Sequence, residues 1–248
     1  MIYVTGDTHG EFMRLDAIEF EAQANMTKQD YLIICGDFGY GRETKVQNNW
    51  FDWLEKRNFT TLWVDGNHEN FDMLKQIEVD EWNGGNVQFI RPSVIHLMRG
   101  QVFTIDGCKI FTFGGARCHD IQGGILEPDD PRLEEKLHAS RLLSIPVRVD
   151  HVSWWKEEQP IEEEMAEGIK NLAAHQNQVD YIITHECAAD TKKELFPDEY
   201  DPHDHLSPYL QKIKETTDFK LWVFGHYHDN MEINDREVLI HDQIIRIW

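Results

Sequence analysis

The stretch Tyr31-Leu32-Ile33-Ile34-Cys35-Gly36-Asp37 decides how this chain is read. Five consecutive apolar residues without polar alternation suit a strand buried on both faces, and Gly-Asp ends it abruptly. The same grammar recurs on either side. Ile2-Tyr3-Val4-Thr5 runs into Gly6-Asp7, and Thr61-Leu62-Trp63-Val64-Asp65 runs into Gly66-Asn67-His68. Tyr181-Ile182-Ile183-Thr184 leads to His185, and Leu221-Trp222-Val223-Phe224 leads to Gly225-His226. Helical periodicities lie between the runs. Phe12, Leu15, Ile18 and Ala22 share one face, Val46, Trp50, Trp53 and Leu54 another. Met165, Ile169, Leu172 and Ala173 repeat the pattern behind an acidic first turn, Glu162 to Glu164. Strand alternating with helix predicts an α/β fold with parallel strands.

Farther out the rhythm changes. Val94 to Met98, Val102 to Ile105 and Lys109 to Phe113 read as strands joined by short turns, and Glu237 to Trp248 is strand-like around Asp242. The β content therefore predicts two sheets within a single domain spanning residues 1–248. Residues 118–155 break the alternation with Pro128-Asp129-Asp130-Pro131 and read as an insertion with one helix, around Leu133 to Leu143. A second irregular stretch, Phe196 to Pro208, is rich in Pro, Asp and His.

Composition narrows the partners. Among 248 residues, 41% are hydrophobic, enough to build a core and exclude wholesale disorder. Lys and Arg number 24 against 45 Asp and Glu, a formal net charge of −21. Such a field repels polyanions, so a long duplex nucleic acid is not expected as partner. A small phosphate ester remains open if cations are supplied locally. No apolar run approaches the roughly 20 residues that span a bilayer. Met1-Ile2-Tyr3-Val4 enters structure without a leader pattern, and the four widely spaced cysteines show no Cys-x-x-Cys pair. A cytoplasmic protein is expected.

Strand-end loops of open α/β sheets gather on one edge, where ligands bind. This chain sends Asp7, His9, Asp37, Asn67, His68, His185, His226 and His228 there. Setting His68 aside, two carboxylates, an amide oxygen and four imidazoles make a mixed O/N donor set that suits Mn, Fe or Zn. Seven ligands exceed one ion but fit two that share a carboxylate. Two ions bring about +4 against −2 from Asp7 and Asp37, giving a cationic pocket inside an anionic protein. Taken singly, Asp-x-His, Gly-Asp and a strand-end His are each ordinary turn residues; the set is what carries the reading.

Gly6-Asp7-Thr8-His9, Gly36-Asp37, Gly66-Asn67-His68-Glu69, Thr184-His185 and Gly225-His226-Tyr227-His228 resemble, in order, the signature of the calcineurin-like metallophosphoesterases. The resemblance implies a four-layer α/β/β/α sandwich, two mixed β-sheets flanked by helices, with two divalent metal ions at the strand ends. Mn stands first among the ions, with Fe, Zn or Ni as alternatives. Asp7, His9 and His228 would hold one ion, Asn67, His185 and His226 the other, and Asp37 would bridge them. The activity implied is hydrolysis of a phosphomonoester or phosphodiester by a metal-activated hydroxide. His68 would protonate the leaving oxygen, a role imidazole suits near neutral pH. A nucleotide or cyclic-nucleotide phosphodiesterase is the narrower alternative, although Glu69 in place of an Asp points away from the cyclic-nucleotide branch. A metal-free protein-binding scaffold on the same fold is the rival, and retention of all eight positions speaks against it.

One departure matters. In the phosphoprotein phosphatases, Gly-Asp is followed two residues later by Asp-Arg. Here Tyr40 stands where that Asp would orient the catalytic His, and Arg42 falls one place late for the phosphate-gripping Arg. A protein phosphatase therefore does not follow, and what orients His68 is left open. Arg42, Arg117 and His119 are candidate substrate contacts, the latter two against the reading of an ordinary surface loop. Trp154-Trp155 could stack a base or anchor the insertion. His203-Asp204-His205 resembles a metal pair without a strand to fix it, and the acidic run Glu157 to Glu167 reads as a solvated helix face.

Overall fold

A computed structural model describes residues 1–41, 45–199 and 201–248. The first sheet contains β1 (Ile2–Thr5), β2 (Tyr31–Cys35), β3 (Thr60–Val64), β4 (Val79–Trp82), β5 (Gly85–Arg91) and β6 (Val94–Leu97). The second contains β7 (Gln101–Ile105), β8 (Cys108–Phe113), β11 (Tyr181–Thr184), β12 (Leu221–Phe224), β13 (Met231–Asn234) and β14 (Glu237–Leu239). A last strand, β15 (Ile245–Arg246), returns to the first sheet, whose order is β15-β1-β2-β3-β6-β5-β4; the second runs β13-β14-β12-β11-β8-β7. The central strands are parallel and the edges antiparallel.

The period-2 geometry of β2 shows why its run is apolar throughout. Ile33 and Cys35 join Leu62, Ile110, Ile183 and Val223 in a core shared by both sheets. Leu32 and Ile34 point the other way, toward Trp63, Phe51 and Leu54. Those last two belong to α1 (Lys45–Glu55), which covers the first sheet with α2 (Phe71–Leu74). On the far side Ile182, Phe111 and Trp222 face Leu172 of α4 (Glu162–Ala174) and Leu210 of α6 (Leu206–Thr216). A short helix, α5 (Ala189–Leu195), packs against α6. The result is helix, sheet, sheet, helix. Each fully buried large side chain contributes about 1.5–3 kcal/mol, so three cores rather than one hold these layers.

Residues 118–155 leave this rhythm. β9 (Ile125–Leu126) and β10 (Arg148–Val149) pair in parallel, and between them α3 (Leu133–Leu143) buries none of its residues. Trp155 closes the segment as an anchor: it is buried in the outer core, and its indole N–H donates to Asp72 Oδ2 at 2.7 Å.

Two local expectations need correction, and one element went unread. The face Phe12, Leu15, Ile18, Ala22 does not form one helix but two 3₁₀ turns, Met13–Leu15 and Glu21–Asn25. Asp16 Oδ1 accepts the Ile18 N–H at 3.0 Å, a local bond that competes with the helix ladder and leaves Ile18 exposed. Asp242 sits in a bend between β14 and β15 rather than within a strand. The hairpin β4–β5 was missed, although Asn83-Gly84, with φ of +50° and +93°, is the strongest short-range hairpin signal. Among the described residues no helix is long and apolar enough to cross a membrane.

Candidate metal centre

The loops that leave β1, β2, β3, β11 and β12 interlock through their backbones. Thr8 and His9 donate to the Asp37 carbonyl at 3.1 and 2.7 Å, and Gly225 donates to the His185 carbonyl at 3.1 Å. Glycine is needed where side chains from a neighbouring loop cross the chain. A Cβ on Gly36 would lie 2.1 Å from His185 Nδ1, one on Gly66 2.0 Å from Asp37 Oδ1, and one on Gly225 2.5 Å from Asp7 Oδ2. The strand-end glycines are thus the space into which the candidate ligands pack.

One ligand atom from each of Asp7, His9, Asp37 and His228 lies within 4.8 Å of all the others, a cluster that could hold a metal ion. His9 Nε2 and His228 Nε2 converge to 3.0 Å. His228 Nε2 is 3.7 Å from Asp7 Oδ1, and His9 Nε2 is 3.7 Å from Asp37 Oδ2. Beside this group, His185 Nε2 sits 3.3 Å from Asn67 Oδ1 and 3.4 Å from Asp37 Oδ1. The ring of His226 is 4.9 Å from that of His185. Seven of the eight strand-end residues therefore meet in one place, with Asp37 between the two groups.

The electrostatics fit divalent cations. Burial pushes Asp7 up to about 6, with Asp37 adding to it and His185 opposing. Burial would also raise Asp37, yet His185, His68 and His9 hold its carboxyl well below the usual range. Burial disfavours a charged His185, but Asp37 and Asp7 outweigh it and raise the imidazole to about 10. Two buried carboxylates this close demand positive charge. His9, His226 and His228 are all lowered, chiefly by burial, so their lone pairs are free near neutral pH. His185 Nδ1 donates to the Cys35 carbonyl at 2.9 Å, leaving Nε2 turned toward Asp37 and Asn67. That is how ligating imidazoles are commonly oriented.

His68 stands at the rim. Its backbone N–H donates to Asp37 Oδ1 at 2.9 Å, and its ring lies 5.6 Å from that of His9. Burial lowers its pKa, Arg148 lowers it further and Asp37 opposes. Its Nε2 is 3.5 Å from Arg148 Nη2. A cavity of about 340 Å³ opens beside His9 and His68 against Phe12, Trp50 and Phe51. Another, about 300 Å³, lies between Arg117, His119, Asp201 and His226.

The substrate candidates fare differently. Arg42 lies outside the described residues. Arg117 is ion-paired with Asp201, and the His119 ring is 5.2 Å from that of His226. Asp204 is no metal ligand here: it binds Lys192 Nζ at 2.9 Å and Ser207 Oγ at 2.6 Å, and accepts backbone N–H groups at the start of α6. Tyr40 is stacked on Phe51 in the outer core.

Sequence reasoning missed the supporting layer. Glu69 accepts the backbone N–H groups of Phe38 and Tyr40, each at 2.6 Å, and so shapes the loop after Asp37. Burial and nearby Asp37 push its carboxyl up to about 8. Arg14 donates to the backbone carbonyls of Asp7, at 2.7 Å, and His241. Asp65 is held by Arg99 at 2.9 and 2.6 Å and by His96 at 3.2 Å, fixing the base of the Gly66-Asn67-His68 loop. Adjacency to His68 was a signal for Glu69; Arg14, Arg99 and Arg148 carried none.

The sequence matches the calcineurin-like phosphoesterase family over residues 1–230, so the chain belongs to that family and is a metal-dependent phosphoester hydrolase. Among solved structures it is similar to phosphopantetheinyl hydrolase from Mycobacterium tuberculosis, at 15% identity and a TM-score of 0.38, over 97% of this chain and 89% of that one. A likeness at that level carries no argument about substrate. A search among curated proteins gave no match.

Proposed function

We propose that the chain hydrolyses phosphoesters with two divalent ions, one held by Asp7, His9 and His228, the other by Asn67, His185 and His226, with Asp37 ligating both. The observation that carries this reading is the convergence of Asp7, His9, Asp37 and His228. The donor set fits Mn first, and Fe, Zn or Ni as well. When bound, such ions polarise a phosphoryl oxygen and lower the pKa of a water for in-line attack.

The protein's own groups do the rest. His185 is kept in one tautomer by the Cys35 carbonyl. Glu69 and Arg14 hold the loops that carry Asp37 and Asp7. His68, at the rim beside its cavity, protonates the departing oxygen, a contribution of roughly 10²–10⁴ in rate. Four buried, unpaired cysteines suit a reducing compartment, and the cytoplasm is the proposed location.

The test is hydrolysis of p-nitrophenyl phosphate and its bis-ester by metal-stripped protein reloaded with Mn. Asp37→Asn is expected to lose metal and activity together. His68→Ala is expected to keep its metal and lose turnover, and unchanged turnover would refute the proton-donor role. Metal content near zero after loading, with no hydrolysis, would favour the scaffold.

A further inference from the structure

Residues 118–155 reach the centre from both of their ends. Asp120 lies just past the start and Arg148 near the finish, and they meet over His68. Arg148 Nη2 donates to Asp120 Oδ2 at 2.6 Å while lying 3.5 Å from His68 Nε2. The guanidinium is fixed at its base by β10, whose Arg148 pairs with Ile125 of β9. Its Nε is buried without an acceptor, an arrangement that costs about 1–3 kcal/mol and calls for a reason. Nearby cations are engaged elsewhere: Arg14 with backbone carbonyls, Arg117 with Asp201, and Lys192 with Glu186 and Asp204.

Arg148 Nη2 is a donor, and His68 Nε2 is the donor that the proton-transfer role assigns to it. Two donors 3.5 Å apart leave room for one oxygen at about 2.9 Å from each. The group that protonates a leaving oxygen marks the leaving-group side of the substrate. We propose that Arg148 is a catalytic residue supplied by the 118–155 segment, donating to the same ester oxygen that His68 protonates as the bond to phosphorus breaks. The inference rests on the assignment of His68 as proton donor. The balance is simple: water oxygen bonds to phosphorus, and the P–O ester bond breaks with its electron pair on the ester oxygen. That oxygen takes the His68 proton, and a proton from the water restores His68. Arg148 keeps its own protons throughout and stabilises the charge that builds before the transfer completes.

The consequence is a dependence on the leaving group. An aryl oxide such as p-nitrophenolate departs without help, whereas an alkyl oxide needs it. Mn-loaded Arg148→Gln and Arg148→Lys would be assayed beside wild type and His68→Ala on p-nitrophenyl, phenyl and alkyl phosphates, with metal content and thermal unfolding measured in parallel. Arg148→Gln is expected to lose about 10²-fold in kcat/KM on the alkyl ester and only a few-fold on the p-nitrophenyl ester, with metal content unchanged. Arg148→Lys should recover part of the alkyl activity. A loss equal across the three esters, or accompanied by loss of metal, would overturn the assignment and leave Arg148 a structural or non-bridging contact. If His68→Ala itself shows no such leaving-group dependence, the proton-donor reading falls instead. A metal-loaded wild type inactive on all three esters would exclude both.

Discussion

His9, Asp37, His226 and His228 have φ values of +48°, +45°, +75° and +51°, a region that side chains bearing a Cβ avoid. Each costs about 1–2 kcal/mol, and strain of this kind gathers where a site needs it. His228 is the cleanest place to see the exchange, because its side chain is half exposed and little packing depends on it. With the metal chelated away, His228→Gly is expected to be as stable as wild type or more so, by up to about 1 kcal/mol in urea melts. The same variant should bind less Mn. A loss beyond 1 kcal/mol without metal would mean that the left-handed turn is not strained. Residue identity was the most legible part of this protein, since Asp7, His9, Asp37, Asn67 and the four histidines announce themselves at strand ends. Arg14, Arg99 and Arg148 did not, because Arg99 and Arg148 make contacts across large sequence separations and Arg14 binds backbone carbonyls, which leave no residue pattern.

At the scale of elements, the apolar runs identified β1, β2, β3, β11 and β12, since burial on both faces leaves an uninterrupted hydrophobic signature; β9 and β10, which also pair in parallel, were not read. The first expected helix failed because Asp16 offers the backbone a competing bond. The glycine at the end of β2 illustrates what an element must yield to a site. Gly36→Ala would set a methyl 2.1 Å from the His185 ring, so Mn content and activity should both collapse while the far edge of the sheet persists. Full metal occupancy in that variant would contradict the packing.

The neck of the 118–155 segment offers a pH-dependent test. Glu158 is buried and accepts the Cys118 N–H at 3.0 Å, with the Trp154 side chain beside it. Burial raises it from 4.5 to about 7. Below the ordinary value both folded and unfolded forms carry the proton, so the group is neutral to stability. Between there and about 7 the unfolded chain ionises first, and above it the folded state bears the full cost. Glu158→Gln should therefore stabilise the protein at pH 8 by about 2–3 kcal/mol and hardly at all at pH 4. Equal effects at both pH values would show that titration is not the cause.

For the whole molecule, the charge of −21 and the cationic centre act at different ranges. An anionic ester must cross a repulsive field before it reaches the ions. Screening weakens that field over about 8 Å at physiological ionic strength, so kcat/KM on p-nitrophenyl phosphate should rise several-fold from 10 to 150 mM salt. A fall over that range would mean that the local potential at the mouth is already attractive. Net charge was plain in the sequence; the approach of Arg148 to His68 was not, because α3 buries none of its residues and the contact spans a large sequence separation.

The strand order also sets a timetable. β15 lies beside β1, so the first sheet is finished only after every strand of the second has been synthesised. The proposed ligands emerge in two instalments, four by residue 67 and three more only after residue 184. A chain caught halfway through synthesis carries Asp7, His9, Asp37 and Asn67 on an incomplete sheet. The proposed centre is complete only once His185, His226 and His228 have followed and β15 has been laid beside β1.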